Sequence, residues 1–365
     1  MKKLCLVALL LAGAGCAAKS TPFISNPFPL LTWLGEFTRP AGTVYSQLGP
    51  DAKFGSLSGL APDAVTKQWV AVVDERDHSR IVWLTVTYDG GKLNVSPTRM
   101  LNLSPGPGVP AYVATQADLE AIVALKDGTF VASEEGHRVR NRTEEWQPAL
   151  LRINRDGVVT SVIDFTSEFR LSVDGKTGVR ENEGFEGLAI TPSGHLIAGL
   201  EQPLIQDGEV TFDRPGAGRL VEFEPSGATF KPARQWRYMI SPTPRVENFE
   251  ETCANGKNGL SELLALSDTT FISLERSCLM STDKQFVANT AQMFSVELIA
   301  GDARKKLLLD FNNVQPRLSA ALSRLENFEG MAFGPIVDGR PTLLIVSDDN
   351  FRATQKTAFL LFGMR

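Results

Sequence analysis

Apolar and polar positions alternate in short runs along most of this chain. Between Gly184 and Met239 the runs "GFEGLA", "LIAGLEQP", "GRLVEFEPSG" and "ATFKPARQWRYM" follow one another. Turn residues separate them, at Pro192-Ser193-Gly194 and Ser226-Gly227. A period of two bounded by turns predicts strands joined as hairpins. No stretch carries the pattern of a long amphipathic helix.

The block recurs. "SLSGLA" at Ser56, "DLEAIV" at Asp118, "GFEGLA" at Gly184, "GLSELL" at Gly259 and "NFEGMA" at Asn327 are degenerate copies of one motif. Their aligned polar residues are Ser58, Glu120, Glu186, Ser261 and Glu329, at intervals of 62 to 75 residues. Each copy is followed by a second apolar run that ends on an acid: Asp74, Glu134, Glu201, Glu275 and Asp348. Two more strand-like runs follow in four of the copies. The last copy has only "FEGMAFG", "TLLIVSDD" and "TAFLLFG".

Repeats of four antiparallel strands predict an all-β fold, a single β-propeller with five blades over residues 24–365. A sixth blade has room only in the poorly patterned Ser241–Lys257 stretch or before Ser56. A strand from the N-terminal region, "LTWLGEFT" or "GTVYSQL", would complete the last blade, close the ring and remove an open edge. A β-sandwich or two small barrels is the competing arrangement, and the five-fold recurrence counts against it.

The innermost strand of each blade lines the axis of a propeller, so equivalent residues form rings. Glu120, Glu186 and Glu329 would then converge, with Ser58 and Ser261 between them. Carboxylates this close must share protons or a cation. Oxygen donors without His or Cys favour calcium or magnesium over zinc. The three histidines, His78, His137 and His195, fall in unrelated places. Polar residues that tie blade ends together are the competing reading, and Gly187 and Gly330 then serve only close packing at the axis. Arg76, Arg138, Arg276 and Arg352 follow the second acid in four copies, where they would suit an anionic ligand or a surface ladder of ion pairs.

Composition narrows the partners. The net charge of -5 argues against a nucleic-acid binder. Lys2 and Lys3, the apolar Leu4–Leu11 run and the small residues after it predict a signal segment over residues 1–18. Cys16 stands where a bacterial lipoprotein carries its lipidated cysteine; plain cleavage near Ala18 is the alternative. The expected location is the cell envelope, with membrane contact only through that anchor, and the expected state is a monomer. Cys253 and Cys278 then suggest one disulfide, or two separate buried thiols. Neither a G-x-S-x-G elbow nor a phosphate-binding G-x-x-x-x-G-K-[ST] loop occurs.

The stretches "NEGFEGLAITPSGHLIAGLEQPLIQDG", "GLSELLALSDTTFISLERS" and "NFEGMAFGPIVDGRPTLLIVSDDNF" resemble the bacterial family called esterase-like activity of phytase, from about Ser56 to Phe362. The resemblance implies a phosphoester or ester hydrolase on a propeller. The β-propeller phytases hold several calcium ions on carboxylates, and metal-dependent sugar lactonases are a fair comparison. By resemblance, Glu186, Glu201, Glu329, Asp348 and Asp349 are candidate ligands, and Glu120 joins them from the ring. The expected function is a calcium-dependent hydrolase of a small phosphorylated substrate, with Arg76, Arg276 or Arg352 neutralising developing charge. A non-catalytic propeller that binds a ligand or envelope partner is the alternative.

Overall fold

The computed structural model describes residues 28–49, 52–138 and 146–365. The expectations for Cys16 and the signal segment lie outside these residues. Strands are the main regular structure of the described chain, with one five-residue helix, Ala111–Thr115, and a few 3-10 turns.

Strand β1 is Leu31–Pro40. A first antiparallel run follows: β2 (Leu57–Asp63), β3 (Gln68–Val73), β4 (Arg80–Asp89) and β5 (Lys92–Asn102). The second comprises β6 (Leu119–Ala124), β7 (Phe130–Glu134), β8 (Ala149–Ile153) and β9 (Val158–Asp164). The third comprises β10 (Phe185–Ile190), β11 (Leu196–Leu200), β12 (Gly216–Ser226) and β13 (Thr229–Ile240). The fourth comprises β14 (Gly259–Ala265), β15 (Thr270–Ser281), β16 (Val287–Ile299) and β17 (Asp302–Asp310). The last has β18 (Asn327–Phe333), β19 (Thr342–Asp348) and β20 (Lys356–Met364), and its fourth strand is β1, paired antiparallel to β20 from Leu31↔Met364 to Pro40↔Lys356. The "LTWLGEFT" segment supplies that strand.

Local chemistry explains the hairpins. Asp89 pairs with Lys92 across Gly90-Gly91, whose φ values of 55° and 77° are the left-handed pair a two-residue primed turn needs. In the Ser241–Lys257 stretch the short strand Phe249–Thr252 pairs with β15 of the fourth run, and Cys253 and Cys278 form a disulfide beside it.

Strand alternation places the core between neighbouring sheets rather than at the axis. Val70, Ile81 and Trp83 of the first run pack on Ile122, Phe130 and Leu151 of the second. Val131 and Leu150 pack on Leu188 and Val221, Ile197 and Tyr238 on Leu260 and Phe271, and Leu274 and Met293 on Met331 and Leu360. A further cluster joins the last run to the first, through Leu344, Val346 and Phe359 against Leu60, Val82 and Leu84. The inner strands β2, β6, β10, β14 and β18 each pack on the next, and β18 packs on β2. The architecture is all-β and propeller-like.

Candidate metal centre

The inner strands share one irregularity. In each, the pairing with the second strand slips at the same place. Phe185 pairs with Leu200 but Gly187 pairs with Gly199, which leaves Glu186 as the bulged residue. The same slip leaves Ser261 between Leu260 and Glu262, and Glu329 between Phe328 and Gly330. It falls at Ser58 and at Glu120 in the first two runs. A bulge re-aims the side chain of its extra residue. The five aligned motif positions therefore share one backbone environment, and all five are buried.

The second strands end in a second set. The N–H of Asp74, Glu135 and Glu201 donates to the carbonyl of Ser56, Asp118 and Gly184 respectively, each just ahead of its inner strand. Arg276 and Asp348 occupy the same register opposite Gly259 and Asn327. This shifts the reading by one residue in two runs, where the sequence pattern points to Glu134 and Glu275. A one-residue slip turns a side chain to the opposite face. Glu134 instead accepts the N–H groups of Asp118 (2.5 Å) and Gly136 (3.2 Å). Glu275 accepts from the Tyr238 hydroxyl (2.7 Å), Asn258 Nδ2 (2.8 Å) and the Ser241 N–H (3.1 Å), and pairs with Lys305.

Arg276 is the one base in the second set. Its guanidinium lies 2.7 Å from Glu329, 2.9 Å from Glu186 and 3.4 Å from Glu201. It is an internal counter-ion to three of the candidate ligands. Arg76 sits farther out, 2.5 Å from Asp118 and bonded to Asn182. Arg352 is exposed and forms no ion pair among the described residues. Asp349 is turned away from the other acids. Its oxygens accept the N–H of Ser56 (3.0 Å) and Phe351 (2.9 Å) and the Thr357 hydroxyl, so it ties the last run to the chain entering the first.

Six acids gather in two clusters, and Asp348 is in neither. One carboxylate oxygen each from Asp74, Asp118 and Glu120 lie within 4.8 Å of one another, and so do those of Glu135, Glu186 and Glu201. Oδ2 of Asp118 meets the Arg76 guanidinium at 2.5 Å; Oδ1 of Asp118, Oε2 of Glu186 and Oε2 of Glu201 are buried without a hydrogen-bond partner. A buried, unpaired carboxylate oxygen is costly, so these atoms call for protons or a cation. Burial, with repulsion from Glu329 and Asp348 and against the pull of Arg276, raises the Glu186 carboxyl to about 8. Burial and the nearby Glu329 raise Asp348 to about 8. Burial first, then neighbouring carboxylates, also raises Asp74, Glu120, Glu135 and Glu201. Oxygen donors with orphaned lone pairs fit a hard divalent cation.

Beneath the bulges the axis is narrow. A Cβ on Gly330 would stand 2.7 Å from the Ser58 carbonyl oxygen, which excludes any larger residue there. Gly59 and Gly187 are as small at the same position and Ala121 is one methyl larger; the fourth run has Glu262 instead. Its Oε1 accepts the N–H of Leu188 (3.0 Å) and of Leu263 (2.9 Å), which ties β10 to β14 below the acid clusters.

Sequence reasoning passed over Asp118, Glu135 and Glu262. Asp118 stands two residues before Glu120 and Glu135 follows Glu134, so both were visible as acids. Only the strand pairing shows that Glu135 rather than Glu134 faces the centre, and that Asp118 joins Glu120 there.

The fold and this centre define a propeller-like all-β protein with a buried, carboxylate-rich site able to hold a metal ion. The chain belongs to the phytase-like family described as "Esterase-like activity of phytase", which it matches over residues 52–351. No curated protein matches it. Among solved structures, an endo-arabinase from Bacteroides thetaiotaomicron is 10% identical with a TM-score of 0.47, covering 90% of this chain and 97% of its own. A gluconolactonase from Xanthomonas campestris is 11% identical with a TM-score of 0.37, covering 93% and 99%. An α-L-arabinofuranosidase from Podospora anserina is 10% identical with a TM-score of 0.40, covering 93% and 99%.

Proposed function

We propose that this protein is a metal-dependent hydrolase of phosphate esters, built on a five-bladed propeller whose ring β1 closes. The observation that carries the reading is the pair of carboxylate clusters with orphaned buried oxygens. Family membership supports the ester chemistry. The β1–β20 pairing and the cluster of core residues shared by the last and first runs support closure.

Asp74, Asp118 and Glu120 would hold one divalent cation, and Glu135, Glu186 and Glu201 a second, with calcium the expected ion. A divalent cation in such a site supplies positive charge to an ester phosphate and acidifies water. Arg276 keeps Glu329 and one oxygen each of Glu186 and Glu201 neutralised from the opposite side, so the remaining oxygens point to the clusters. Arg76, half-exposed beside Asp118, is placed to meet an anionic group arriving from solvent.

One observation favours a second reading, a ligand-binding propeller without turnover: the Arg276 contacts satisfy much of the centre internally. A panel of phytate, aryl phosphates, aryl esters and lactones, with and without calcium, separates the two. The hydrolase reading expects phosphate release that chelation abolishes and calcium restores. Turnover of nothing in the panel, or turnover indifferent to chelation, contradicts it.

A further inference from the structure

A cavity of about 480 Å³ opens beside the second run of strands. It lies within the range of small-molecule pockets, about 300–1,000 Å³. Its walls come from the connection entering β6, from the start of β8 and from the connection leaving β9. Those segments all lie at the end of the sheets where the inner strands begin, which is the end that carries Asp118 and Glu135.

The cavity borders the chain segments that carry the metal centre. Ala117 lines the cavity and immediately precedes Asp118. Glu134 lines it as well, precedes Glu135, and receives the Asp118 N–H. The lining is apolar and aromatic around Val113 and Tyr112. The Tyr112 ring stacks on Trp146 at 5.1 Å with 14° between planes, and the His137 ring meets Trp146 edge-on at 4.1 Å. This packing fixes the aromatic wall in place. Its charged residues are Glu134, Asp164 and one cation, Arg170, so the lining is net negative.

We infer that this cavity receives the organic part of the substrate, and that this part is an uncharged, ring-shaped apolar group rather than a polyphosphorylated one. The inference rests on the hydrolase reading of the centre, and it narrows the substrate class to phosphate monoesters of aryl or similar ring alcohols. A stacked aromatic wall suits a flat apolar ring. Several phosphates would meet two carboxylates against one guanidinium, with like charge in a partly enclosed site.

The test is direct binding with non-hydrolysable probes, which needs no turnover. Calorimetry on the full chain with calcium compares 1-naphthylphosphonate, methylphosphonate and phytate. The naphthyl probe is expected to bind about tenfold more tightly than the methyl one, a difference of the size aromatic contacts give. Val113→Trp, which fills the cavity, is expected to erase that advantage and to leave the methyl probe unchanged. Tyr112→Ala, a second variant that removes a wall, is expected to weaken the naphthyl probe alone. Equal binding of the naphthyl and methyl probes overturns the inference. So does phytate binding that Val113→Trp abolishes. A naphthyl advantage in a protein that hydrolyses no ester leaves the pocket standing and removes the hydrolase reading instead.

Discussion

Arg276 lies 2.7 Å from Glu329, at a register position that a carboxylate holds in each of the other four runs. One substitution of base for acid thus divides the centre. The guanidinium pairs with Glu329 of the fifth run and with one oxygen each of Glu186 and Glu201 of the third; Oε2 of Glu186, Oε2 of Glu201 and Oδ1 of Asp118 are left unpaired.

Removing that guanidinium should expose the division. Arg276→Met leaves Glu186, Glu329 and Glu201 without their buried partner, and breaking a buried pair from one side costs about 3–5 kcal/mol. The metal-free variant should melt well below the wild type, and added calcium should recover more of the loss than it adds to the wild type. Equal melting temperatures without metal would show that the Arg276 contacts hold nothing together.

The two clusters should be separable from the acids that only tie strands. Asp118→Asn and Glu201→Gln should each weaken calcium binding by at least tenfold in a titration, because each removes a charged donor with an orphaned oxygen. Asp349→Asn should leave calcium affinity unchanged and lower the melting temperature, since its oxygens serve Ser56, Phe351 and Thr357. Loss of affinity in Asp349→Asn alone would reverse the assignment.

The metal-free protein should lose stability as pH rises. Glu186 and Asp348 titrate near 8 when folded, against ordinary values of 4.5 and 3.8. The folded state thus holds protons that the unfolded chain has released between about pH 4 and 8. Stability from these groups is complete below about pH 4 and declines through that window. Chelated protein should therefore unfold at lower urea at pH 8 than at pH 6, and calcium should narrow the gap by replacing the protons. A chelated protein equally stable at both pH values would contradict the burial of these carboxyls.

The disulfide should matter to the fourth run. Cys253–Cys278 joins the short strand Phe249–Thr252 to β15 two residues beyond Arg276. A bridge over 25 residues of sequence contributes about 3 kcal/mol in the chain-entropy account. Cys253→Ser with Cys278→Ser should lower the urea midpoint accordingly, and an unchanged midpoint would show that strand pairing alone holds this segment.

Much of this was legible in the sequence. The period of two gave the strands, and the recurrence of G-F-E-G-L-A gave their grouping and the five bulge positions. The N-terminal strand was visible as an apolar run without a partner. What escaped was register. "SEEG" places two acids side by side, and "LERS" places a base after an acid; composition cannot say which faces the axis. Hydrogen bonding decides it, since the N–H of Glu135, not Glu134, meets the Asp118 carbonyl. Glu262 escaped because its role depends on Leu188, from a different repeat. The tie from Asp349 to Ser56 escaped because the two lie at opposite ends of the chain.

The central claim is that the carboxylate clusters hold a catalytic divalent cation. Aryl phosphate hydrolysis by purified protein, measured after chelation and after calcium return, tests it most directly. The account predicts activity lost on chelation and restored by calcium in the wild type, and little restoration in Asp118→Asn. Hydrolysis that persists undiminished in chelator, or that Asp118→Asn leaves intact, would contradict it.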